Sequence, residues 1–128
     1  MKKEKYSIEF VLGNASQKSL WRMLTEPTAM EQWFADGVEM KDETLYTFTW
    51  GDNAMEVEQV LKKPIDQVRY SWLATERANT YFEFKIHKLE LSRVIALEVI
   101  DFANSDDKDD AIFLWENQID LLKRKLGI

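Results

Sequence analysis

The chain has 128 residues, of which 45% are apolar and 31% are charged, so it is long enough for one domain with a substantial core and too apolar for a disordered protein. It contains no cysteine, which excludes disulfides, thiolate catalysis and cysteine-ligated zinc. Its net charge of −6 argues against nucleic-acid binding as the main task. We therefore expect a single domain over residues 1–128.

The N-terminal segment contains lysines but no apolar stretch of signal-peptide length. No apolar run along the chain approaches the length of a membrane span. On these grounds we expect a cytoplasmic protein with no membrane span and no nucleic-acid partner.

The first predicted elements are a strand and a short helix. Apolar and polar side chains alternate over residues 5–12, which is the period of a half-buried strand. Asn14 or Ser16 is placed to cap the helix that follows. Pro27 is expected to end that helix, because proline has no N–H to donate and disturbs the turn before it.

A second short helix is predicted over 29–34, where Thr28 and Glu31 form a capping-box pattern. Strands dominate from residue 38 onward, with turns predicted at Gly51 and Pro64. The six predicted strands cover 38–40, 45–50, 55–62, 68–72, 80–88 and 94–102.

The last predicted element is a long helix over 106–126, in which apolar residues recur at spacings of three and four. This stripe consists of Ile112, Trp115, Ile119, Leu122 and Leu126, widened by Leu114 and Leu121. Strands joined by short turns form an antiparallel sheet, so we expect the helix to rest on the inner face of that sheet.

Three parts of the sequence carry a family resemblance: WRMLTEP at 21–27 followed by EQWF at 31–34, VRYSW at 68–72, and W-x-x-x-I-x-x-L-K at 115–123. Their order and spacing resemble the START-like superfamily (SRPBCC, birch-allergen-like), in the branch related to the C-terminal domain of the heat-shock ATPase activator. The resemblance implies an α+β helix-grip fold, in which a curved antiparallel sheet (β-α-α-β6-α) wraps around a long C-terminal helix. It also implies an inner cavity, in which members bind lipids, hydrophobic metabolites or polyketides.

Many aromatic residues fall on the face of the predicted sheet that should point inward. They either line a pocket for a flat or acyl ligand or fill the core themselves, and the sequence leaves both readings open. The ligand-binding residues predicted on the first reading are Trp33, Phe34, Tyr46, Phe48, Trp50, Tyr70, Trp72, Phe84, Glu98 and Trp115. The polar groups expected to orient a ligand are Tyr46, Tyr70, Thr75 and Gln59.

Glu98 and Asp101 interrupt an otherwise apolar strand. If the even-numbered residues of 96–102 face the cavity, Glu98 is a carboxylate in apolar surroundings, and its pKa is raised. A raised pKa is what a general acid or base requires, and Tyr70 would be its uncertain partner. The alternative is that Glu98 faces outward. His87 is the only histidine, and a single histidine cannot build a histidine-based metal site. Its side chain is predicted to point to solvent. We predict neither a metal nor a cofactor.

Three functions remain open from the sequence. The first is binding of a small hydrophobic ligand, as a carrier or sensor. The second is a co-chaperone-like protein-interaction module, and the third is a cavity-based enzyme of the cyclase or dehydratase type. The chain is expected to be a monomer or a homodimer, since an exposed sheet edge could pair two copies.

Overall fold

The structure is a computed structural model, and it describes residues 3–128. One strand, two short helices, six further strands and one long helix follow in that order, as the sequence predicts. The elements are β1 (Glu4–Val11), α1 (Gln17–Thr25), α2 (Pro27–Met30), β2 (Gly37–Met40), β3 (Leu45–Trp50), β4 (Asn53–Lys63), β5 (Gln67–Trp72), β6 (Tyr81–Leu89), β7 (Val94–Ala103) and α3 (Lys108–Leu126), with a 3₁₀ turn at Thr75–Arg77 between β5 and β6.

The seven strands form one antiparallel sheet in the order β1-β7-β6-β5-β4-β3-β2. The first strand therefore lies beside the last, with Tyr6 opposite Asp101 and Phe10 opposite Leu97. The remaining neighbours follow one another along the chain. This arrangement confirms the predicted α+β helix-grip fold.

The two short helices begin differently from one another. α1 starts after Ser16, whose hydroxyl group accepts a hydrogen bond of 3.2 Å from the third helical N–H, as expected of an N-cap. α2 is shorter than the predicted 29–34 and continues as a turn. The capping-box prediction for α2 is wrong, because the carboxylate of Glu31 instead accepts a hydrogen bond from the backbone N–H of Val38 (2.9 Å). Glu31 thereby fixes the start of β2.

Helix α3 closes the inner face of the sheet. Trp115, Ile119 and Leu122 are buried in the same apolar cluster as the inward side chains of the strands. Leu114, expected to widen this stripe, is 59% exposed, because it lies at the edge of a cleft. Gly127 ends the helix with a φ of +77°, a conformation that glycine adopts without a steric penalty.

Within residues 3–128, no helix combines the length and the apolar character needed to cross a membrane.

Candidate functional site

An open cleft of about 660 Å³ lies between the sheet and the N-terminal half of α3. Its inner surface consists of five aromatic side chains: Phe34, Trp50, Trp72, Phe82 and Trp115. Polar atoms enter it from Asp101 on β7 and Gln118 on α3, while Glu76 and Arg77 stand at the rim in the 3₁₀ turn. The cleft is therefore mostly apolar, with a few polar groups at defined places.

The five rings contact one another as a continuous surface. Trp72 lies between Trp50 and Phe82, with ring centroids 6.3 Å and 5.3 Å apart. Phe34 lies 5.2 Å from Phe82 and stacks against Trp115 at 6.0 Å. Offset and tilted contacts of this kind are favourable for aromatic rings. Because Trp50, Trp72 and Phe82 stand on the inner face of neighbouring or next-neighbouring strands, the period-2 alternation of the sheet brings them together.

The carbonyl group of Phe34 connects the two walls of the cleft. Its oxygen accepts a hydrogen bond of 2.9 Å from the indole N–H of Trp50 on β3. It accepts a second, of 3.2 Å, from the side-chain amide of Gln118 on α3. The turn that carries Phe34 is thus fixed to the sheet and to the helix at one backbone atom.

Asp101 is the carboxylate inside the cleft. Its Oδ2 atom accepts hydrogen bonds from the indole N–H of Trp115 (2.9 Å) and from the hydroxyl group of Tyr6 (3.4 Å), and its Oδ1 atom accepts one from the backbone N–H of Phe102 (2.8 Å). Burial raises the pKa of Asp101, while these three donors act in the opposite direction. Burial and the nearby Asp101 charge also raise the pKa of Tyr6. The arrangement offers an oriented hydrogen-bond acceptor to any molecule in the cleft.

The rim carries charges of both signs. The guanidinium carbon of Arg77 lies 4.7 Å from the ring centroid of Trp72, a cation–π arrangement. Its positive charge lowers the pKa of Asp101, against the larger effect of burial. With Glu76 beside it, the lining of the cleft holds two carboxylates and one guanidinium.

The structure divides the predicted ligand-site aromatics into two groups. Phe34, Trp50, Trp72 and Trp115 line the cleft. The remaining rings are buried in the core: Trp33, Tyr46, Phe48, Tyr70 and Phe84. The structure therefore places one group of these rings at the surface of a cleft and the other group in the core.

Three of the core rings have a structural task at the end of α1. Pro27 lacks the N–H that would reach the carbonyl of Met23, and the chain leaves the helical path there, so the last carbonyl groups of α1 need other partners. The indole of Trp33 donates to Met23 (2.7 Å). The hydroxyl groups of two tyrosines complete the set, since Tyr70 donates to Leu24 (2.7 Å) and Tyr46 donates to Thr25 (3.0 Å).

The polar groups expected to orient a ligand do not line the cleft. The hydroxyl groups of Tyr46 and Tyr70 bind α1, and the amide of Gln59 contacts both hydroxyl oxygens at 3.4 and 3.5 Å. Thr75 is exposed in the 3₁₀ turn, beside the rim residues. Tyr46, Tyr70 and Gln59 thus belong to the core, and Thr75 belongs to the turn beside the cleft.

The prediction that Glu98 faces the cavity is wrong, and the outward alternative is correct. The carboxylate of Glu98 lies 2.9 Å from the Nε2 atom of His87 on the outer face of the sheet. His87 is half-exposed there, as predicted. Tyr70, considered as a partner of Glu98, is on the inner face. The odd-numbered residues of 95–103 point inward, so the inward carboxylate of β7 is Asp101.

Sequence reasoning thus missed Asp101 and left Phe82 out of the predicted ligand site. Phe82 lies two residues before Phe84 on β6, and the alternation of a strand places both on the inner face. The orientation of β7 was harder to read, because Ala96 and Ile100 on its outer face are also buried. Among residues 3–128, no group of three or more histidine, aspartate and glutamate side chains is arranged to hold a metal ion.

Solved structures with the same architecture include proteins from several bacteria and one protein of a biosynthetic locus. The solution structure of BfR322 from Bacteroides fragilis is 36% identical, with a TM-score of 0.71 over 100% of this chain and 94% of that chain. The Aha1 dimer from Colwellia psychrerythraea has a TM-score of 0.78 at 14% identity, over 100% and 98% of the two chains. DynU16, from the dynemicin biosynthetic locus, has a TM-score of 0.77 at 18% identity, over 96% of this chain and 47% of its own. The last two likenesses concern the fold alone.

No curated protein sequence matches this chain significantly. The sequence profile of the START-like superfamily domain matches residues 1–128, which is the whole chain. Together with the helix-grip architecture, this match shows that the chain belongs to the START-like superfamily.

Proposed function

We propose that this chain binds a small, largely apolar organic molecule in the cleft between the sheet and α3. The observation that carries the proposal is the continuous surface of five aromatic rings at which polar atoms of Asp101 and Gln118 converge. Small-molecule sites in proteins combine apolar walls with a few placed polar groups, in volumes of about 300–1,000 Å³. The cleft, at about 660 Å³, has this size.

Incomplete burial of two large rings supports the same proposal. Trp50 and Trp72 are only half-buried, although both pack against the apolar core. An exposed apolar surface at the bottom of a concavity is favourable to cover, because a bound molecule removes it from water. A flat molecule placed on these rings would gain stacking contacts as well as burial.

Two neighbouring residues of α3 provide a matched test. Leu114 lines the cleft, and Phe113, which is exposed to a similar degree, does not. A library of small aromatic and acyl compounds would be screened by ¹H–¹⁵N NMR, with the five indole N–H signals as reporters. We expect binders to shift the indole signals of Trp50, Trp72 and Trp115. Leu114→Trp should narrow the cleft and reduce these shifts, whereas Phe113→Trp should leave them unchanged.

Two outcomes would contradict the proposal. One is the absence of any binder in the library. The other is binding that Leu114→Trp leaves intact, since the ligand would then lie elsewhere. Circular dichroism of both variants serves as the control for folding.

A second candidate function is self-association, in which two copies of this chain form a homodimer. Phe113 and Leu114 are 65% and 59% exposed at consecutive positions of α3, and Leu91 is also exposed. The similar Aha1 of Colwellia psychrerythraea is a dimer in its solution structure. Sedimentation equilibrium should then show a dimer that Phe113→Glu dissociates. A monomer at every concentration would exclude this function.

A further inference from the structure

We propose that the ligand of the cleft carries a protonated amine, and that Asp101 is the group that binds it. This inference rests on the proposed function and adds the charge of the ligand to it. The occupant would be a flat apolar body with an ammonium group at one end. Its rings would lie on the aromatic surface, and its N–H would donate to the carboxylate of Asp101.

The hydrogen bonds of Asp101 leave room for such a donor. Trp115 and Tyr6 donate to Oδ2, and the backbone N–H of Phe102 donates to Oδ1. A carboxylate can accept about four hydrogen bonds in all, so one acceptor position on Oδ1 remains. All three hydrogen-bond partners of the carboxylate are donors, and they favour its ionised form against the opposing effect of burial. Asp101 also borders the cleft directly.

The surrounding rings favour a positive charge over a neutral group. Aromatic faces attract cations, and the guanidinium of Arg77 already occupies the face of Trp72 at the rim. The rings of Trp115, Phe34 and Phe82 contact one another and line the same cleft as Asp101. A carboxylate among aromatic rings is a suitable environment for an ammonium group.

The charges around the cleft also favour a cationic ligand. The charged residues of its lining are Asp101, Glu76 and Arg77, which leave one negative charge in excess. The ammonium group of Lys108 lies 5.9 Å from the ring centroid of Tyr6, and Lys108 is not part of the cleft lining. An anionic ligand would meet Asp101 as a like charge in a partly desolvated site, which is unfavourable. The net charge of −6 for the whole chain adds to the attraction of a cation.

Three probes with one ring system test the inference on the wild-type protein: 1-naphthylmethylamine, 1-naphthylmethanol and 1-naphthoate. At pH 7 they are a cation, a neutral donor and an anion. The indole N–H signal of Trp115 reports binding, because it donates directly to Asp101. We expect the amine to bind about tenfold more tightly than the alcohol, the alcohol to bind more tightly than the acid, and the Trp115 signal to shift most with the amine.

Two variants separate charge from shape. Asp101→Asn should remove the preference for the amine while changing alcohol binding by no more than about twofold. Arg77→Gln should increase the preference for the amine over the alcohol, because it removes the one positive charge of the cleft lining. Glu98→Gln is the matched control, since it removes a carboxylate from the outer face, and it should alter neither.

The outcomes distinguish this inference from the function on which it rests. Equal or tighter binding of the alcohol or the acid by the wild type would overturn the amine inference and leave the cleft function standing. Failure of all three probes and of the wider library would overturn both. The wild-type comparison needs no variant, so it decides the question even if Asp101→Asn does not fold.

Discussion

The hydroxyl group of Tyr70 donates a hydrogen bond of 2.7 Å to the carbonyl oxygen of Leu24 and so joins the middle of the sheet to the end of α1. Tyr70 is fully buried, and burial raises the pKa of its hydroxyl group well above the ordinary value, so the group remains a neutral donor. The helix end that Pro27 creates is thus stabilised from within the core.

Removal of that hydroxyl group should destabilise the fold. Tyr70→Phe leaves the carbonyl of Leu24 buried with no strong donor, which costs about 1–3 kcal/mol in the free energy of unfolding. Urea denaturation followed by circular dichroism measures this. Tyr81→Phe, on the outer face, is the control and should change stability by less than about 0.5 kcal/mol. Equal stability of Tyr70→Phe and the wild type would show that the bond contributes nothing.

The N-cap of α1 gives a second prediction. Ser16→Ala removes the side-chain oxygen that accepts from the third helical N–H, and should cost about 1 kcal/mol. Ser19→Ala is the matched control, because Ser19 takes part through its backbone N–H and keeps that group. Thermal and urea unfolding of the two variants should separate them. If both lose the same stability, the cap is not the cause.

The outer face of the sheet holds a buried carboxylate whose loss should be costly. Glu83 is fully buried and accepts hydrogen bonds from the side chains of Gln67 and Arg69, the latter at 2.6 Å. Glu83→Ala leaves both donors without their acceptor and should cost about 1–3 kcal/mol, since Arg69 retains partial access to water.

Glu98→Ala is the control for Glu83→Ala. It breaks the more exposed pair with His87 on the same face and should cost less than about 1 kcal/mol. Urea denaturation at fixed ionic strength compares the two variants. The reverse order of stabilities would contradict the importance assigned to burial.

Asp101 should make stability depend on pH. Because burial raises its pKa from 3.8, the folded state binds this proton more tightly than the unfolded chain does. The contribution of Asp101 to stability is therefore complete below pH 3.8 and declines as the pH rises through the folded pKa. The difference in unfolding free energy between Asp101→Asn and the wild type should shift in favour of the variant as the pH rises from 3.8 through the folded pKa of Asp101.

Urea unfolding at each pH measures that shift, and a ¹³C titration of the Asp101 carboxyl group locates the folded pKa. The difference in unfolding free energy between Asp101→Asn and the wild type also has a part that does not vary with pH, because the variant changes the hydrogen bonds of Trp115 and Phe102. Only the part that varies with pH tests the prediction. A difference that is flat with pH, or that moves toward the wild type, would show that the pKa is not raised.

Much of the fold could be predicted from local patterns. The spacing of Trp115, Ile119 and Leu122 fixed one face of α3, and alternation in β3 and β5 identified the inward rings. The contact of β1 with β7 is different, because Tyr6 and Asp101 are paired across almost the whole chain. Periodicity identifies each strand, but not the strand that lies beside it in the sheet.

The cleft was harder to predict than the fold, for reasons that particular residues make clear. Trp33 and Trp72 are both inward aromatics in the sequence, and only the three-dimensional structure shows that Trp33 binds the carbonyl of Met23 while Trp72 borders the cleft. Glu98 and Asp101 both interrupt one apolar strand. Since β7 is buried on both faces, alternation of polarity could not decide which carboxylate points inward.

The carbonyl oxygen of Phe34 has a consequence for the dimensions of the cleft. It accepts hydrogen bonds from Trp50 on one wall and Gln118 on the other, so the separation of the walls is set by two bonds to a single atom. We expect a molecule one ring thick to fit between the walls with both hydrogen bonds intact. A thicker molecule must push α3 outward, and the 3.2 Å contact of Gln118 would be the first to break. We therefore expect the cleft to discriminate between ligands by thickness more sharply than by length.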